Sequence, residues 1–229
     1  RTLQQYLKRR GIEVSEYKIR KVINKFSLQL KHKKKFIKTT DSDHDFKIYP
    51  NLVKDHEVTK LNELWVSDIT YIRIVNGFVY LAVILDLYSR KVIGWSISKN
   101  IDTHLTLTAL EMALIRRGKP ANVIHHSDRG VQYLSLEYVK FLKKNNFKIS
   151  CSRKANPYDN AWAESFMKTL KVEEVYLFNY ETIIDVSERV GKFIEEVYNQ
   201  KRIHSSLNYL TPMEFEIKQE KEKIKIKPS

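Results

Sequence analysis

The sequence predicts an α/β domain whose mixed five-stranded sheet is flanked by helices and preceded by a small helical module. Two observations predict it: the order of strand-like and helical patterns, and an uneven distribution of charge. The strand-like segments are rich in Val, Ile, Tyr and Trp and span residues 64–74, 78–87, 91–98, 122–125 and 148–151. Helical patterns follow the third, fourth and fifth of them, and this order favours a mixed sheet with helices on both faces.

Charge divides the chain at residue 38. Lys and Arg number 41 against 27 acidic residues, a net +14, and residues 1–38 alone carry 13 basic residues against two acids. A step of this size indicates two modules, and it suggests a polyanion as the partner. We expect a helix-turn-helix module with a basic linker, an irregular connector, the α/β core and a charged tail, at residues 1–38, 39–62, 63–215 and 216–229 respectively.

The basic first module has the pattern of two short helices. Residues 1–9 are helical, Gly11 breaks this helix, and Ser15 can cap a second helix that extends to about residue 26. Two short helices joined by a glycine-containing turn match a helix-turn-helix, and a solvated helical hairpin is the alternative. The lysines that could contact DNA phosphates are Lys18, Lys21 and Lys25 on the second helix and Lys33, Lys34 and Lys35 in the linker.

Composition excludes several classes of protein. With 42% hydrophobic residues, six glycines and five prolines, the chain is neither disordered nor fibrous. A single cysteine, Cys151, excludes a disulfide framework and a Cys-rich zinc module. No apolar run could span a membrane and no signal-peptide pattern opens the chain, so we expect a cytoplasmic protein with no membrane partner. Because the chain starts at Arg1 within a helical pattern, we also expect it to be a fragment.

Three carboxylates stand where a charge is costly unless a cation accompanies it. Asp68 lies within a strand, Asp128 directly follows one, and Glu164 lies on a helix. The polar stripe of that helix comprises Asn160, Glu164, Lys168 and Lys171. Singly, the three acids are more simply a buried structural acid, a turn residue and a surface residue. Brought together at the strand ends, they would need hard cations such as Mg²⁺ or Mn²⁺, and two such ions suit phosphoryl transfer.

The spacing of the acids decides between these interpretations. Thirty-five residues separate Asp128 from Glu164, and the chain thereby resembles the Asp, Asp, 35-residue, Glu signature of integrases and DDE transposases. It is most similar to bacterial insertion-sequence transposases whose second reading frame carries the integrase core, with its ribonuclease-H-like fold. The resemblance is carried by residues 39–45 (TTDSDHD), 65–72 (WVSDITYI), 86–90 (DLYSR), 126–133 (HSDRGVQY), 156–166 (NPYDNAWAESF) and 198–199 (YN), by Arg202, by residues 204–207 (HSSL) and 211–212 (TP), and by Phe215.

The resemblance implies a role for each acid. Asp68, Asp128 and Glu164 would be the catalytic and metal-binding residues of an enzyme that cleaves transposon ends and transfers the freed 3′-hydroxyl to another phosphodiester. It implies Mg²⁺ or Mn²⁺, with two ions per site. The implied partners are double-stranded DNA, as terminal repeats and target, and at least one further copy of the chain, because two DNA ends must be held together. The expected location is the bacterial cytoplasm, at the nucleoid.

Other residues are assigned lesser roles. Lys168 and Lys171 are similar in placement to integrase lysines that hold the DNA end. Tyr158, before the helix, is the aromatic side chain expected to stack on a frayed base, and Asn160 is grouped with these DNA contacts. The adjacent His125 and His126 point to opposite faces of a strand, so both cannot bind one ion, and they are interpreted as structural residues or as residues that support the metal ligands. Two other functions stay open: a ribonuclease-H-type nuclease without strand transfer, and a catalytically silent DNA-binding repressor.

Overall fold

The computed structural model describes residues 1–29, 46–153 and 160–226 and contains one five-stranded sheet. Its strands lie in the order β3-β2-β1-β4-β5. β1 pairs antiparallel with β2, and β2 with β3, whereas β1–β4 and β4–β5 are parallel. The predicted mixed five-stranded sheet is therefore confirmed. The strands are β1 (Leu64–Ile74), β2 (Gly77–Asp86), β3 (Val92–Ser98), β4 (Ile124–Ser127) and β5 (Lys148–Cys151).

Helices cover both faces of this sheet. The helices of the described residues are α1 (Thr2–Lys8), α2 (Glu16–Lys25), α3 (Thr103–Arg116), α4 (Val131–Leu134), α5 (Leu136–Lys144), α6 (Ala161–Glu173), α7 (Ile183–Lys192) and α8 (Pro212–Ile226). Of these, α6 and α7 pack on one face, and α3 and α5 on the other. None of the helices in the described parts of the chain combines the length and apolar character that a membrane crossing requires.

The two faces of the sheet enclose separate hydrophobic layers. Leu64 and Val66 of β1 pack with α6 and α7, whereas Trp65 and Ile69 pack with α3 and α5. This division follows from the alternation of side chains along a strand. Asp68, two residues after Val66, therefore belongs to the face that α6 covers.

Local chemistry explains where the structure departs from the predicted elements. A single helix was expected over 134–145, but the chain turns at Ser135, whose Oγ accepts a hydrogen bond from Tyr138 N and caps α5. The helix expected over 181–198 is α-helical only to Lys192 and continues as a π-helical segment, Phe193–Tyr198. The fourth strand lies two residues later than expected, because Asn122 adopts a positive φ of 63° and its N–H bonds to Asn146 O.

The segment expected to be a solvated charged tail is largely helical. α8 continues past residue 215 to Ile226, and Glu216 on it is 6% exposed. The Glu216 carboxylate accepts hydrogen bonds from Ser89 Oγ at 2.6 Å and Lys91 Nζ at 2.8 Å, and it forms an ion pair with Arg117. These partners are distant in sequence, and they neutralise the Glu216 carboxylate, which without them would be expected to remain exposed to solvent.

The first 29 residues form the two predicted short helices. Ser15 caps α2, with its Oγ accepting from Lys18 N at 3.3 Å, and Gly11 has the positive φ expected of a break. The Arg9 guanidinium donates to Tyr209 O at 3.1 Å and pairs with Glu214, so α1 contacts the end of the core. DNA binding by this helical pair stays a prediction.

Candidate active site

Asp68 lies in the middle of β1, half-buried, on the face that carries α6. The N–H of Ile69 donates to Asp68 Oδ1 at 2.8 Å, which fixes the orientation of the carboxylate. In the antiparallel pair, Asp68 lies opposite Val83 of β2. The carboxylate thus lies among apolar residues such as Val66 and Val83, where loss of hydration penalises its charge.

Asp128 directly follows β4 and enters the same region because β4 runs parallel to β1. Val66 pairs with His126, which places Asp128 two residues beyond the pair, as Asp68 is on β1. Gly130 N donates to Asp128 Oδ1 at 2.9 Å. A Cβ at Gly130 would lie 2.9 Å from Gln132 Oε1 and 3.1 Å from Asp128 Oδ1, so a glycine here allows the tight turn that holds the carboxylate.

Glu164 comes from α6, on the exposed side of the helix. The opposite side is anchored by Phe166 and Leu170, which are fully buried in the layer shared with β1. Asn160, the N-cap residue of α6, donates from Nδ2 to Ser67 O at 3.2 Å. The start of the helix is therefore tied to the residue that precedes Asp68.

The three acids influence one another electrostatically. Burial, and then the negative charges of Asp128 and Glu164, raise the pKa of Asp68 to about 8, although the Ile69 N–H and the positive charge of Lys171 act in the opposite direction. Burial also raises the pKa of Glu164. Within the described ranges, no three carboxylate, imidazole or thiol side chains already form a cluster able to hold a metal ion. The acids are thus close enough to repel one another, yet they do not form a closed cage.

The two lysines of α6 occupy different environments. Lys168 is exposed, as the predicted stripe requires. Lys171 is half-buried, and its Nζ lies 4.6 Å from the centre of the Tyr71 ring. Burial lowers the pKa of Lys171, while the Asp68 charge raises it. Lys171 is therefore a neighbour of Asp68 as well as a candidate DNA contact. Tyr71 could not be predicted as part of this site, because no local sequence pattern links an aromatic residue on β1 to a lysine on α6.

Asn160 does not extend the polar stripe onto the surface. It is 6% exposed, and its amide is used to bond Ser67 O. The backbone leaves the helix at the N-cap and turns this side chain toward β1, and direct contact of Asn160 with DNA stays a prediction. The remaining predicted contacts Tyr158, Lys33, Lys34 and Lys35 lie outside the described residues, whereas Lys18, Lys21 and Lys25 are exposed on α2.

The two histidines are buried and hydrogen-bonded to neighbouring side chains, which is consistent with the structural role interpreted from the sequence. His125 Nε2 lies 2.9 Å from Tyr138 Oη and 3.2 Å from Ser67 Oγ, whereas His126 Nδ1 lies 2.8 Å from Ser150 Oγ. Burial, and then the proximity of His126, lowers the pKa of His125 to about 3. His125 is thus a neutral ring that supports the strands behind Asp68.

The chain matches the integrase core domain family over residues 58–157 and again over residues 145–212. The 31 kDa protein of insertion element IS600 from Shigella sonnei is 37% identical over 216 residues, which cover 94% of this chain and 79% of that protein. Transposase InsF of insertion sequence IS3A from Escherichia coli strain K12 is 42% identical over 192 residues, covering 83% and 67% of the two chains.

Solved structures share the fold at lower identity. A chain of the simian T-cell lymphotropic virus intasome superposes with a TM-score of 0.56 at 18% identity, covering 70% of this chain and 55% of that one. The HTLV-2 integrase catalytic core in complex with magnesium superposes with a TM-score of 0.51 at 20% identity, covering 67% of this chain and 95% of that one. The Mos1 mariner transposase catalytic domain superposes with a TM-score of 0.51 at 15% identity, covering 59% of this chain and 71% of that one. With the sequence matches, these likenesses place the chain in the family of integrase-core transposases of bacterial insertion sequences.

Proposed function

We propose that this chain is a DNA transposase that cuts the ends of a transposon and joins the freed 3′-hydroxyl to another phosphodiester. The observation that carries the proposal is the mutual influence of Asp68, Asp128 and Glu164, contributed by β1, the turn after β4, and α6. Membership of the integrase-core transposases supports the same reaction class. We assign catalysis to these three acids and to the core at residues 63–215.

The acids suit a hard divalent cation, Mg²⁺ or Mn²⁺, and the proposed site takes two. Their donors are all oxygen, and a half-buried carboxylate with a pKa near 8 gains most from a neighbouring cation. Mg²⁺ is commonly held by one or two carboxylates together with waters and substrate phosphates. An open arrangement in which Asp68 and Asp128 provide the first ligands and DNA completes the shell therefore fits. When bound, such ions lower the pKa of a hydroxyl nucleophile and stabilise the leaving oxygen.

The protein's own residues orient the reacting groups. The Ile69 and Gly130 N–H groups fix the carboxylates of Asp68 and Asp128, and the Asn160 bond to Ser67 O positions the start of α6. Exposed Lys168 would bind a phosphate beside Glu164, and Lys171 adds positive charge next to Asp68. Electrostatic stabilisation from groups held in place in this way needs little rearrangement during the reaction.

The substrates we propose are double-stranded terminal repeats and a target duplex. Residues 1–38 would provide the sequence-independent grip, through exposed Lys18, Lys21 and Lys25 on α2 and through the linker lysines Lys33, Lys34 and Lys35. Joining requires two DNA ends in one complex, so we propose at least a dimer. The site of action would be the bacterial nucleoid.

The test is a cleavage and joining assay with labelled terminal-repeat duplexes and Mg²⁺ or Mn²⁺. Asp68→Asn, Asp128→Asn and Glu164→Gln should each reduce cleavage by at least about a thousandfold, because each removes a charge that the metal site uses. Glu111→Gln, on the exposed side of α3, removes the same charge away from the site and should leave the rate unchanged. Near-wild-type cleavage by any of the three acid variants would contradict the metal-site assignment.

Pre-cleaved ends separate the proposal from its alternatives. A transposase joins them to a second duplex, whereas a ribonuclease-H-type nuclease yields only shortened products. A repressor binds the ends and yields neither. Binding measured in parallel without metal shows whether an inactive variant is still folded and bound to DNA.

A further inference from the structure

A cavity of about 400 Å³ lies beside α6, on the side opposite Glu164. Successive residues of a helix are about 100° apart, so Glu164, Lys168 and Lys171 share one side of α6. The residues of α6 that line the cavity share the other side, and they are Trp162, Ser165, Phe166 and Thr169. The other walls are the end of β2 with the turn to Arg90, and residues 202–206.

Arg90 contributes a positive charge that the fold does not neutralise. It lies in the turn after β2, with a φ of 62°, and is half-buried. Burial lowers the pKa of its guanidinium, while the nearby Tyr198 hydroxyl raises it. Its side chain makes no hydrogen bond or ion pair with any residue that the structure describes. A cation removed from water without a partner is costly, so its position calls for an anion.

Two further basic groups converge on the same cavity. The positive charges of Arg202 and Arg90, after burial, lower the pKa of His204 to about 4. His204 Nε2 is buried and has no hydrogen-bond partner among the described residues. Arg202 is already paired with Glu173, from Nε at 3.1 Å and Nη2 at 2.9 Å. Arg90 therefore supplies the uncompensated charge, and His204 supplies an unused ring nitrogen.

The acidic group in the cavity wall is already occupied. Asp86 is fully buried and accepts hydrogen bonds from Asn62 N at 2.8 Å and Tyr88 N at 3.0 Å. Arg117 lies 3.7 Å from the same carboxylate. It therefore does not neutralise Arg90. The small hydroxyl side chains that complete the lining are Ser165, Thr169, Ser205 and Ser206.

We propose that Arg90, Arg202, His204 and these hydroxyl groups bind a backbone phosphate of DNA, in a site separate from the catalytic acids. Planar guanidinium groups and hydroxyls are the usual donors to phosphate oxygens. DNA is favoured over a free anion because Thr2, at the start of the basic first module, also lines the cavity. A duplex held by that module would pass the opening. The proposal relies on the proposed function only for the identity of the ligand as DNA.

The experiment measures DNA affinity of the whole chain at several salt concentrations without divalent metal, so that no cleavage is needed. Arg90→Gln should reduce the slope of log affinity against log salt by about 0.9, as expected for one lost phosphate contact, and weaken binding about tenfold at low salt. Arg90→Lys keeps a cation and should retain most of the slope. Arg73→Gln removes an exposed arginine from β1 and serves as the matched control, with wild-type affinity expected.

Thermal unfolding separates binding from a purely structural role. Arg90→Gln should unfold at or above the wild-type temperature, because it removes an unpaired buried charge. A large fall in its unfolding temperature would give Arg90 a structural role instead. An unchanged salt slope in a folded Arg90→Gln protein would overturn the proposal.

Two further outcomes would replace the ligand. If inorganic phosphate stabilises the wild type but not Arg90→Gln while the DNA slope is unchanged, the cavity is a free-anion site. If sedimentation shows loss of self-association with the slope unchanged, the cavity receives a carboxylate of a second copy. Cleavage by the acid variants is measured separately, so a negative result for Arg90 does not bear on the proposed function.

Discussion

Replacing Asp68 by asparagine should stabilise the metal-free protein while it abolishes catalysis. In the folded chain the pKa of Asp68 is raised from its ordinary 3.8 to about 8, first by burial and then by Asp128. The folded state therefore holds a proton that the unfolded chain releases, and stability falls as pH rises between these two values. Asparagine keeps an oxygen that can accept from Ile69 N and carries no charge, so the variant should lack this loss.

The size of the effect follows from the same pKa values. Each tenfold change in proton affinity corresponds to about 1.4 kcal/mol, so the change from 3.8 to about 8 sets an upper limit of roughly 6 kcal/mol. Because the carboxylate is only half-buried, water and side-chain movement should reduce much of this energetic penalty. We expect Asp68→Asn to raise the free energy of unfolding by about 2 to 3 kcal/mol at pH 8, equivalent to roughly 4–12 °C in Tm for a chain of this size.

The assay is urea unfolding of both proteins without divalent metal, at about pH 5 and about pH 8. The difference in free energy of unfolding between Asp68→Asn and wild type should be larger at about pH 8 than at about pH 5. For Glu111→Gln this difference should be the same at both pH values. Added Mg²⁺ should stabilise wild type more than the variant, because the cation offsets the repulsion between carboxylates. If Asp68→Asn is no more stable than wild type at about pH 8, the argument that the fold disfavours the charged form of Asp68 is refuted.

Two further perturbations test packing and the basic module. Gly94→Ala should lower the free energy of unfolding in urea by more than about 2 kcal/mol, because its Cβ would overlap the Ala109 carbonyl oxygen and lie 2.9 Å from Ala113 Cβ. Ser96→Ala, on the same strand, is the control. A Gly94→Ala protein as stable as wild type would argue against this contact of α3 with β3. Changing the α2 lysines to glutamine should lower the salt slope of DNA binding by up to about 3, whereas the exposed α5 lysines changed likewise should not. An unchanged slope for the α2 variant would place the phosphate contacts elsewhere. The two sets are Lys18, Lys21 and Lys25, and Lys140, Lys143 and Lys144.

Local signals in the sequence were sufficient for the strands and for the positions of the acids. A run of β-branched residues predicts β1, and the short run before Asp128 predicts a strand that ends near it. The surroundings of single side chains were not predictable, because they depend on partners far away in the chain. Glu216 looks like a surface charge until Ser89, Lys91 and Arg117 surround it.

The same limit applies within the site. Helical spacing correctly grouped Glu164 with Lys168, since both are exposed on α6. Helical spacing did not predict the burial of Asn160, because a residue at the helix end need not follow the helical pattern, and this one bonds to Ser67 O. Helical spacing also could not predict how deeply Lys171 is buried, because that depends on its contact with Tyr71 on β1.

The two sides of α6 make the helix the element that relates chemistry to DNA position. One side carries Glu164, whose charge acts on Asp68 of β1 together with that of Asp128 in the turn after β4, and the other side lines the cavity that contains Arg90. Buried Phe166 and Leu170, with the Asn160 bond, hold the helix on β1 and keep it from sliding. A phosphate bound on the cavity side would therefore fix the path of DNA relative to Glu164 through a rigid body about one helix diameter wide, roughly 10 Å. A loss of grip at Arg90 should then misplace the DNA end at the acids as well as weaken binding, because positional errors of an ångström are costly to catalysis.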